Sequence, residues 1–157
     1  MILKLHEIRD LYNGLNTVLD LESEFDFSYA IAKNRRLLKS YVEHLEEKFK
    51  PSKEYSEYEN DRLKTAVEMS EKDENDQPKI VNNSYVIKKE LRADFKAAME
   101  ELKEAYKETL KAQKELAEKL EDTLNEEKEV ELFLIKKEVL PKLTPKQMEY
   151  VLFLLEN

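Results

Sequence analysis

Cysteine is absent from the 157-residue chain, and glycine occurs only once, at position 14. Without cysteine the protein can form neither a disulfide nor a thiolate nucleophile or metal ligand. A loop that cradles phosphate or a dinucleotide needs several glycines, so it is excluded as well. The single glycine and four prolines, together with 39% charged residues, are instead typical of long helices with narrow apolar stripes. The chain is therefore predicted to be mostly helical.

Histidine is also scarce, and the two that are present, His6 and His44, lie in unrelated contexts. Neither belongs to a His-Glu-x-x-His or Glu-x-x-His pair, which are the spacings that hold a metal on helices. A calcium loop over residues 73–84 would need glycine at its sixth position and glutamate at its twelfth, where this chain has Pro78 and Ser84. We therefore predict no catalytic residue, no metal, no cofactor and no enzymatic activity.

Long apolar runs are missing too. None approaches the roughly 20 residues that a membrane-spanning helix needs. The amino-terminal sequence MILKLHEIRD lacks the basic region and continuous apolar segment of a signal peptide. We therefore expect no membrane partner and a cytoplasmic location.

Positive charge is in deficit, because 27 Lys and Arg residues face 35 Asp and Glu residues, for a net charge of −8. The resulting field repels phosphate groups, so nucleic acid is not an expected partner. The acidic excess lies mostly between Glu43 and Asp76. A basic cluster precedes it, formed by Lys33, Arg35, Arg36 and Lys39. The acidic stretch is either a solvated helix face or a surface for a basic partner.

Apolar residues at three- and four-residue spacing predict the helices. The first helix carries Ile8, Leu11, Tyr12, Leu15, Val18 and Leu19. It includes Gly14, which costs about 1 kcal/mol relative to alanine, so this helix needs tertiary support. A second helix, with Ser28 as its predicted N-cap, carries Ile31, Leu38, Tyr41, Val42, Leu45 and Phe49.

Pro51 interrupts the second helix, which either kinks there or is followed by a new helix capped near Ser52. The longest stripe follows residue 88 and predicts one continuous helix of about 35 to 40 residues. Its seam contains Leu91, Phe95, Met99, Leu102, Tyr106, Thr109, Gln113, Leu116, Leu120 and Thr123.

Two long amphipathic segments joined by a short connector predict an antiparallel helical hairpin over residues 28–127. The same seams could instead pair with a second copy, so a homo-oligomer is the alternative. In the connector, residues 73–87, the β-favouring runs 79–81 and 85–87 flank asparagines that tolerate tight turns. A small β-hairpin is therefore predicted there.

The chain ends are predicted to form a small α+β base from residues 1–27 and 128–157. Alternating apolar residues predict short strands at 2–5, 25–27 and 129–137. The last helix has the clearest start signal, with a Thr144 cap, a proline at the first position and Gln147 completing a capping box. Because its continuation YVLFLLEN is apolar nearly all round, this helix is either buried on the sheet or partly offered to another protein. The fold class is thus mostly α with a minor β component.

The candidate partner-binding residues lie near the connector. Large amphipathic rings are favoured at protein interfaces, and three tyrosines in this region are accompanied by acidic residues. The predicted site consists of Tyr55, Tyr58, Tyr85, Glu54, Glu57 and Asp61. The alternative is that each tyrosine only covers the helical seam, with its hydroxyl in water.

Three segments taken in order, ILKLHEIRDLYNGLN, EKDENDQPKIVNNSYVI and VELFLIKKEVLPKLTPKQMEYVLFLLE, resemble a family of small uncharacterised proteins of tailed phages and prophages of Gram-positive bacteria. The likeness spans nearly the whole chain and rests on its pattern of elements. It implies a bacterial host cytoplasm and a phage-related role, and it brings no functional residues to carry over.

With no catalytic chemistry to perform, the chain is predicted to be a non-enzymatic protein–protein interaction module. Its expected partner is a host protein, such as a defence or regulatory complex that the module inhibits. The alternative is a virion or tail assembly protein, or a chaperone, that holds an unassembled structural subunit.

Overall fold

The computed structural model describes residues 1–156, and the chain is mostly helical, as predicted. Within these residues the six α-helices are α1 (Leu5–Asn16), α2 (Phe25–Lys48), α3 (Lys53–Glu68), α4 (Arg92–Ala105), α5 (Lys107–Leu124) and α6 (Pro145–Val151). The short strands are β1 (Ile2–Lys4), β2 (Ile80–Val81), β3 (Ser84–Tyr85) and β4 (Glu127–Glu129). They form two antiparallel pairs, β1 with β4 and β2 with β3. In this part of the chain, no helix has the length and apolar character needed to cross a bilayer.

The chain divides into two compact units. Unit 1 combines Met1–Lys50 with the chain from Glu118 onward, and unit 2 is Pro51–Ala117. The boundaries differ from the predicted ones at residues 27 and 128, because α2 belongs with the chain ends rather than with the connector region. A single long hairpin over residues 28–127 remains a prediction.

One apolar core holds unit 1 together. Of the predicted stripe of the first helix, Ile8, Leu11 and Leu15 are buried on α1 and Val18 is buried beyond its end, whereas Tyr12 is half-buried and Leu19 is exposed. Leu5, predicted to end the first strand, is buried as the first residue of α1. Helix α2 contributes Phe27, Ala30, Ile31, Leu38 and Leu45. The carboxy-terminal part adds Val130, Ile135, Val151 and Leu154. After α6 the chain makes one 3₁₀ turn, Leu152–Leu154, in which Leu154 is buried and Leu152 and Phe153 are exposed.

The predicted strand at residues 25–27 is wrong, and so is the Ser28 cap. Helix α2 begins at Phe25, its N-cap is Glu24, and Ser28 lies within its first turns. Three residues cannot distinguish a period of two from one of 3.6, and Phe27 turns out to start the buried stripe of the helix.

Strand β1 is confirmed, with Ile2 opposite Glu129 and Lys4 opposite Glu127. The predicted central strand at 129–137 is wrong in its extent, because regular pairing stops at Glu129 and later contributes one isolated bridge, from Ile135 to Leu155. Between these points the side chain of Asn34 hydrogen-bonds to the backbone of Phe133 and takes the place of a neighbouring strand.

Gly14 is required by a close approach between helices. An added Cβ at this position would overlap the ring of Tyr150 on α6. The tertiary support that α1 was predicted to need is therefore an aromatic ring packed directly on its backbone.

The start of α6 is confirmed in detail. The Thr144 hydroxyl accepts a hydrogen bond from the Gln147 amide at 3.3 Å, and the Gln147 side chain accepts one from the Thr144 amide at 3.0 Å. The Gln147 Nε2 donates to the carbonyl of Thr17 at 2.8 Å. One side chain thus caps α6 and satisfies a carbonyl at the end of α1.

Unit 2 contains the predicted β-hairpin. Strands β2 and β3 are joined by Asn82 and Asn83, whose φ angles of 50° and 60° are the positive values that tight hairpin turns require. Ser52 caps α3 by accepting a hydrogen bond from the Tyr55 amide at 3.1 Å, so a new helix does follow Pro51.

The predicted continuous helix after residue 88 is wrong, because it is interrupted at Tyr106, between α4 and α5. Tyr106 has φ −105° and ψ 21°, away from helical values. The Leu110 amide still donates to the Tyr106 carbonyl at 2.9 Å. A break of one residue leaves the apolar spacing almost unchanged, which is why the sequence pattern does not show it.

Candidate partner-binding site

The predicted tyrosine site lies in unit 2, and its central ring is not accessible. Tyr58 is only 8% exposed, and its ring lies 6.0 Å from that of Tyr55 and 5.5 Å from that of Tyr106. The Tyr106 hydroxyl donates to the Asp61 carboxylate at 2.9 Å. Because Tyr58 and Asp61 stabilise the packing of α3 on α4, they have a structural role already.

The other members of the predicted site are spread along α3 and the β-hairpin. Tyr85 is half-buried on β3 opposite Ile80, and in the described chain no ring contact joins it to Tyr55. The pKa of Glu54 is lowered by hydrogen bonds from its own backbone amide and from the Ser52 hydroxyl at the start of α3. Glu57 pairs with Lys53 at 3.5 Å. A role for this set in partner binding stays a prediction.

A second cluster of aromatic rings lies on the surface of unit 1. Phe25 is 76% exposed, Tyr29 45% and Phe133 46%. Phe25 stacks on Tyr29 with ring centroids 5.7 Å apart, and Tyr29 meets Phe133 edge-on at 6.4 Å. Scattered apolar side chains are ordinary on protein surfaces, but here Tyr29 contacts both other rings, so the three form a continuous apolar patch.

A cation completes the patch. The Lys33 Nζ lies 5.3 Å from the centre of the Tyr29 ring and 5.9 Å from that of the Phe133 ring. Phe25, Tyr29 and Lys33 follow one another at four-residue spacing, so they lie on one face of α2. We call the four residues Phe25, Tyr29, Lys33 and Phe133 the aromatic face.

Asn34, which is fully buried, fixes the position of Phe133. The Asn34 Nδ2 donates to the Phe133 carbonyl at 2.8 Å, and its Oδ1 accepts from the Phe133 amide at the same distance. Both polar ends of the buried amide are therefore satisfied by one residue. This clamp holds the backbone of Phe133 against α2 and leaves its ring at the surface beside Tyr29.

The sequence pattern did not predict the aromatic face, although the spacing of two of its residues was visible. Phe25 and Tyr29 are spaced by four residues on the side of α2 opposite the buried stripe. The alternation of FDF at residues 25–27 also fits a strand, and the strand prediction conceals that helical spacing. Nothing in the sequence indicates that Phe133, more than 100 residues later, packs beside them.

Unit 1 also has clefts at its surface. One, of about 430 Å³, is lined by Leu5 and Leu45 together with polar side chains that include His44, Lys48 and Lys128. Lys128 is engaged with Glu126 at 2.9 Å, which lowers the pKa of that carboxyl. Another, of about 270 Å³, has His6 among its lining residues. Across residues 1–156 no group of three or more His, Asp or Glu side chains is arranged to hold a metal ion.

Comparison with known proteins gives no match to any family model, to any curated protein or to any solved structure.

Proposed function

We propose that the protein is a non-enzymatic protein-binding module that contacts its partner through the aromatic face. The observation that carries this proposal is the exposure of three contacting rings, one of them positioned by a buried asparagine. Following the phage resemblance, we propose a host protein complex, of the defence or regulatory kind, as the partner, and inhibition of that complex as the outcome.

Exposed rings of this kind favour association. Burying aromatic area in a partner is favourable at roughly 25 cal/mol per Å². Because the clamp on Phe133 and the packing of α2 fix the rings beforehand, little side-chain freedom is lost on binding. Rigid aromatic anchors are the residues that most often dominate the binding energy of protein interfaces.

The experiment captures partners from a Gram-positive host lysate with the tagged full-length chain, and then measures binding of the purified partner directly. We expect Phe25→Ala and Phe133→Ala to lose the partner. Leu19→Ala removes an exposed apolar side chain of unit 1 that is not part of the face, and should retain the partner. Thermal unfolding of each variant confirms that its fold is intact.

Binding that survives both aromatic substitutions would overturn the proposed surface. Loss of the partner on Tyr55→Ala, with Phe25→Ala unaffected, would place the contact on α3 instead. Capture of a tail or capsid subunit in a Phe25-dependent manner would replace the host partner with a role in virion assembly.

A further inference from the structure

The outer face of α2 changes character along its length. Phe25, Tyr29, Lys33 and Arg36 are all exposed, and their spacing places them on one side of the helix. The opposite side carries the buried Phe27, Ile31, Asn34 and Leu38. Over about 16 Å, at 1.5 Å per residue, the outer face passes from aromatic to basic.

The two cations of this face are not neutralised by neighbouring acids. Lys33 lies over the rings of Tyr29 and Phe133. In the described residues no ion pair joins Lys33 or Arg36 to a carboxylate. The next cation along the helix, Lys39, differs because it pairs with Glu43 at 3.2 Å.

These unpaired cations stand out because the chain as a whole carries a charge of −8. We infer that the partner segment is acidic and carries a large apolar anchor, which docks on Phe25, Tyr29 and Phe133 while its carboxylates contact Lys33 and Arg36. This inference rests on the proposed function, since it names the kind of partner that the aromatic face accepts.

The Arg36 guanidinium suits the carboxylates of the proposed partner segment. A guanidinium presents a planar fork of donors that a carboxylate fills with two parallel hydrogen bonds, so Arg36 is suited to an Asp or Glu side chain. Charge complementarity at the edge of an apolar contact speeds association and selects against basic partners.

Interleaved rings and cations are also typical of surfaces for single-stranded nucleic acid. The outer face of α2 favours an acidic protein segment over nucleic acid for two reasons. It offers two unpaired cations, which match a pair of carboxylates but not the phosphate that a nucleic-acid strand carries at every nucleotide. The net charge of −8 repels a continuous phosphate chain more strongly than a short segment with a few carboxylates.

The test uses the purified full-length chain and three labelled probes in fluorescence anisotropy. The first probe is a short amphipathic peptide with leucine and phenylalanine anchors flanked by glutamates. The second replaces every glutamate with lysine, and the third is a short oligothymidine. We expect the acidic peptide to bind at least about ten-fold tighter than the other two, and to weaken between about 50 and about 500 mM NaCl.

Matched charge reversals locate the contact. Arg36→Glu should weaken binding of the acidic peptide by at least about ten-fold. Lys142→Glu changes the net charge equally at another exposed position of unit 1, so it should leave binding within about two-fold. Phe25→Ala should abolish the remaining affinity.

Equal binding of the acidic and basic peptides, or identical effects of Arg36→Glu and Lys142→Glu, would overturn the inference. Preferential binding of oligothymidine would overturn it in favour of nucleic acid. If host-partner capture still depends on Phe25 while the acidic peptide fails to bind, the inference fails and the proposed function stands.

Discussion

The two units differ sharply in how much they bury. In unit 1, fifteen buried residues form one continuous apolar cluster. Among the described residues of unit 2, only Tyr58 and Ser70 are buried, and α4 and α5 bury no side chain fully. Few buried contacts mean that a region opens at a lower free energy than the global unfolding of the protein. The candidate binding surface thus lies on the better-packed unit, where its rings can be held rigidly.

The largest effect is expected at Gly14 in unit 1. Alanine is the better helix former by about 1 kcal/mol, so Gly14→Ala would stabilise an isolated helix. In the folded protein the new methyl group overlaps the Tyr150 ring. We therefore expect a loss of about 3 kcal/mol or more in the free energy of unfolding, measured by urea denaturation followed by circular dichroism.

Two variants check the cause of that loss. Asn13→Ala, at an exposed position of the same helix, should change stability by no more than about 0.5 kcal/mol. The double variant Gly14→Ala/Tyr150→Ala should be more stable than the sum of the two single losses predicts, because removal of the ring makes room for the methyl group. A Gly14→Ala protein as stable as Asn13→Ala would refute the close contact.

In unit 2 the counterpart is Tyr58, the one large apolar residue buried there within the described chain. Tyr58→Ala removes a ring that packs on both Tyr55 and Tyr106, at an expected cost of about 2 to 4 kcal/mol. Because Tyr58 lies in unit 2, we expect the loss of structure to be confined to that unit. The amide NMR signals of unit 1 should then keep their positions. Leu63→Ala, at a half-exposed position of the same helix, is the control. Loss of dispersed signals in both units would contradict the division of the chain into two compact units.

A substitution at Asn34 tests whether its hydrogen bonds to Phe133 stabilise the aromatic face. Asn34→Ala leaves the amide and carbonyl of Phe133 without their buried partners, at an expected cost of about 2 to 3 kcal/mol. Asn125→Ala is a matched control, because that side chain donates to the carbonyl of Glu121, in the last turn of α5, at an exposed site. Its effect should be close to zero in the same denaturation assay. Equal effects of the two substitutions would show that the hydrogen bonds between Asn34 and Phe133 do not stabilise the fold.

The smallest effect concerns alkaline pH in unit 2. The hydrogen bond from Tyr106 to Asp61, followed by partial burial, raises the pKa of Tyr106 above its ordinary 10.0. The folded protein therefore holds this proton more tightly than the unfolded chain does. The stabilisation is fully present below the unfolded pKa and is lost as pH rises through the folded one. Between about pH 8 and about pH 11, wild type should lose more stability than Tyr106→Phe in parallel denaturation curves. A larger loss in the variant would contradict the assigned hydrogen bond.

How much the sequence could predict depended on the range of the interactions involved. The Thr144 capping box, the Ser52 cap and the asparagine turn at Asn82 were predictable because each is decided within a few residues. The extent of the last strand was not, because its neighbour is the side chain of Asn34, far away in sequence.

The difference between local and long-range interactions also explains why the sequence did not predict the packing of the candidate site. Tyrosines near the connector were predicted to face a partner, yet Tyr58 is buried because α4 returns to cover it with Tyr106. The aromatic face depends on Phe133 meeting Tyr29 across a long separation in sequence. Composition and periodicity do not encode such a contact.

Native-state hydrogen exchange on the full chain compares the local stability of the two units residue by residue. We expect the Phe133 amide, bonded to Asn34, and the amides of α2 beyond its first turn to exchange only near the free energy of global unfolding. The amides of α3 and α4 should exchange through local opening at clearly lower free energy. Equal protection in α2 and α4, or a rapidly exchanging Phe133 amide, would contradict this expectation.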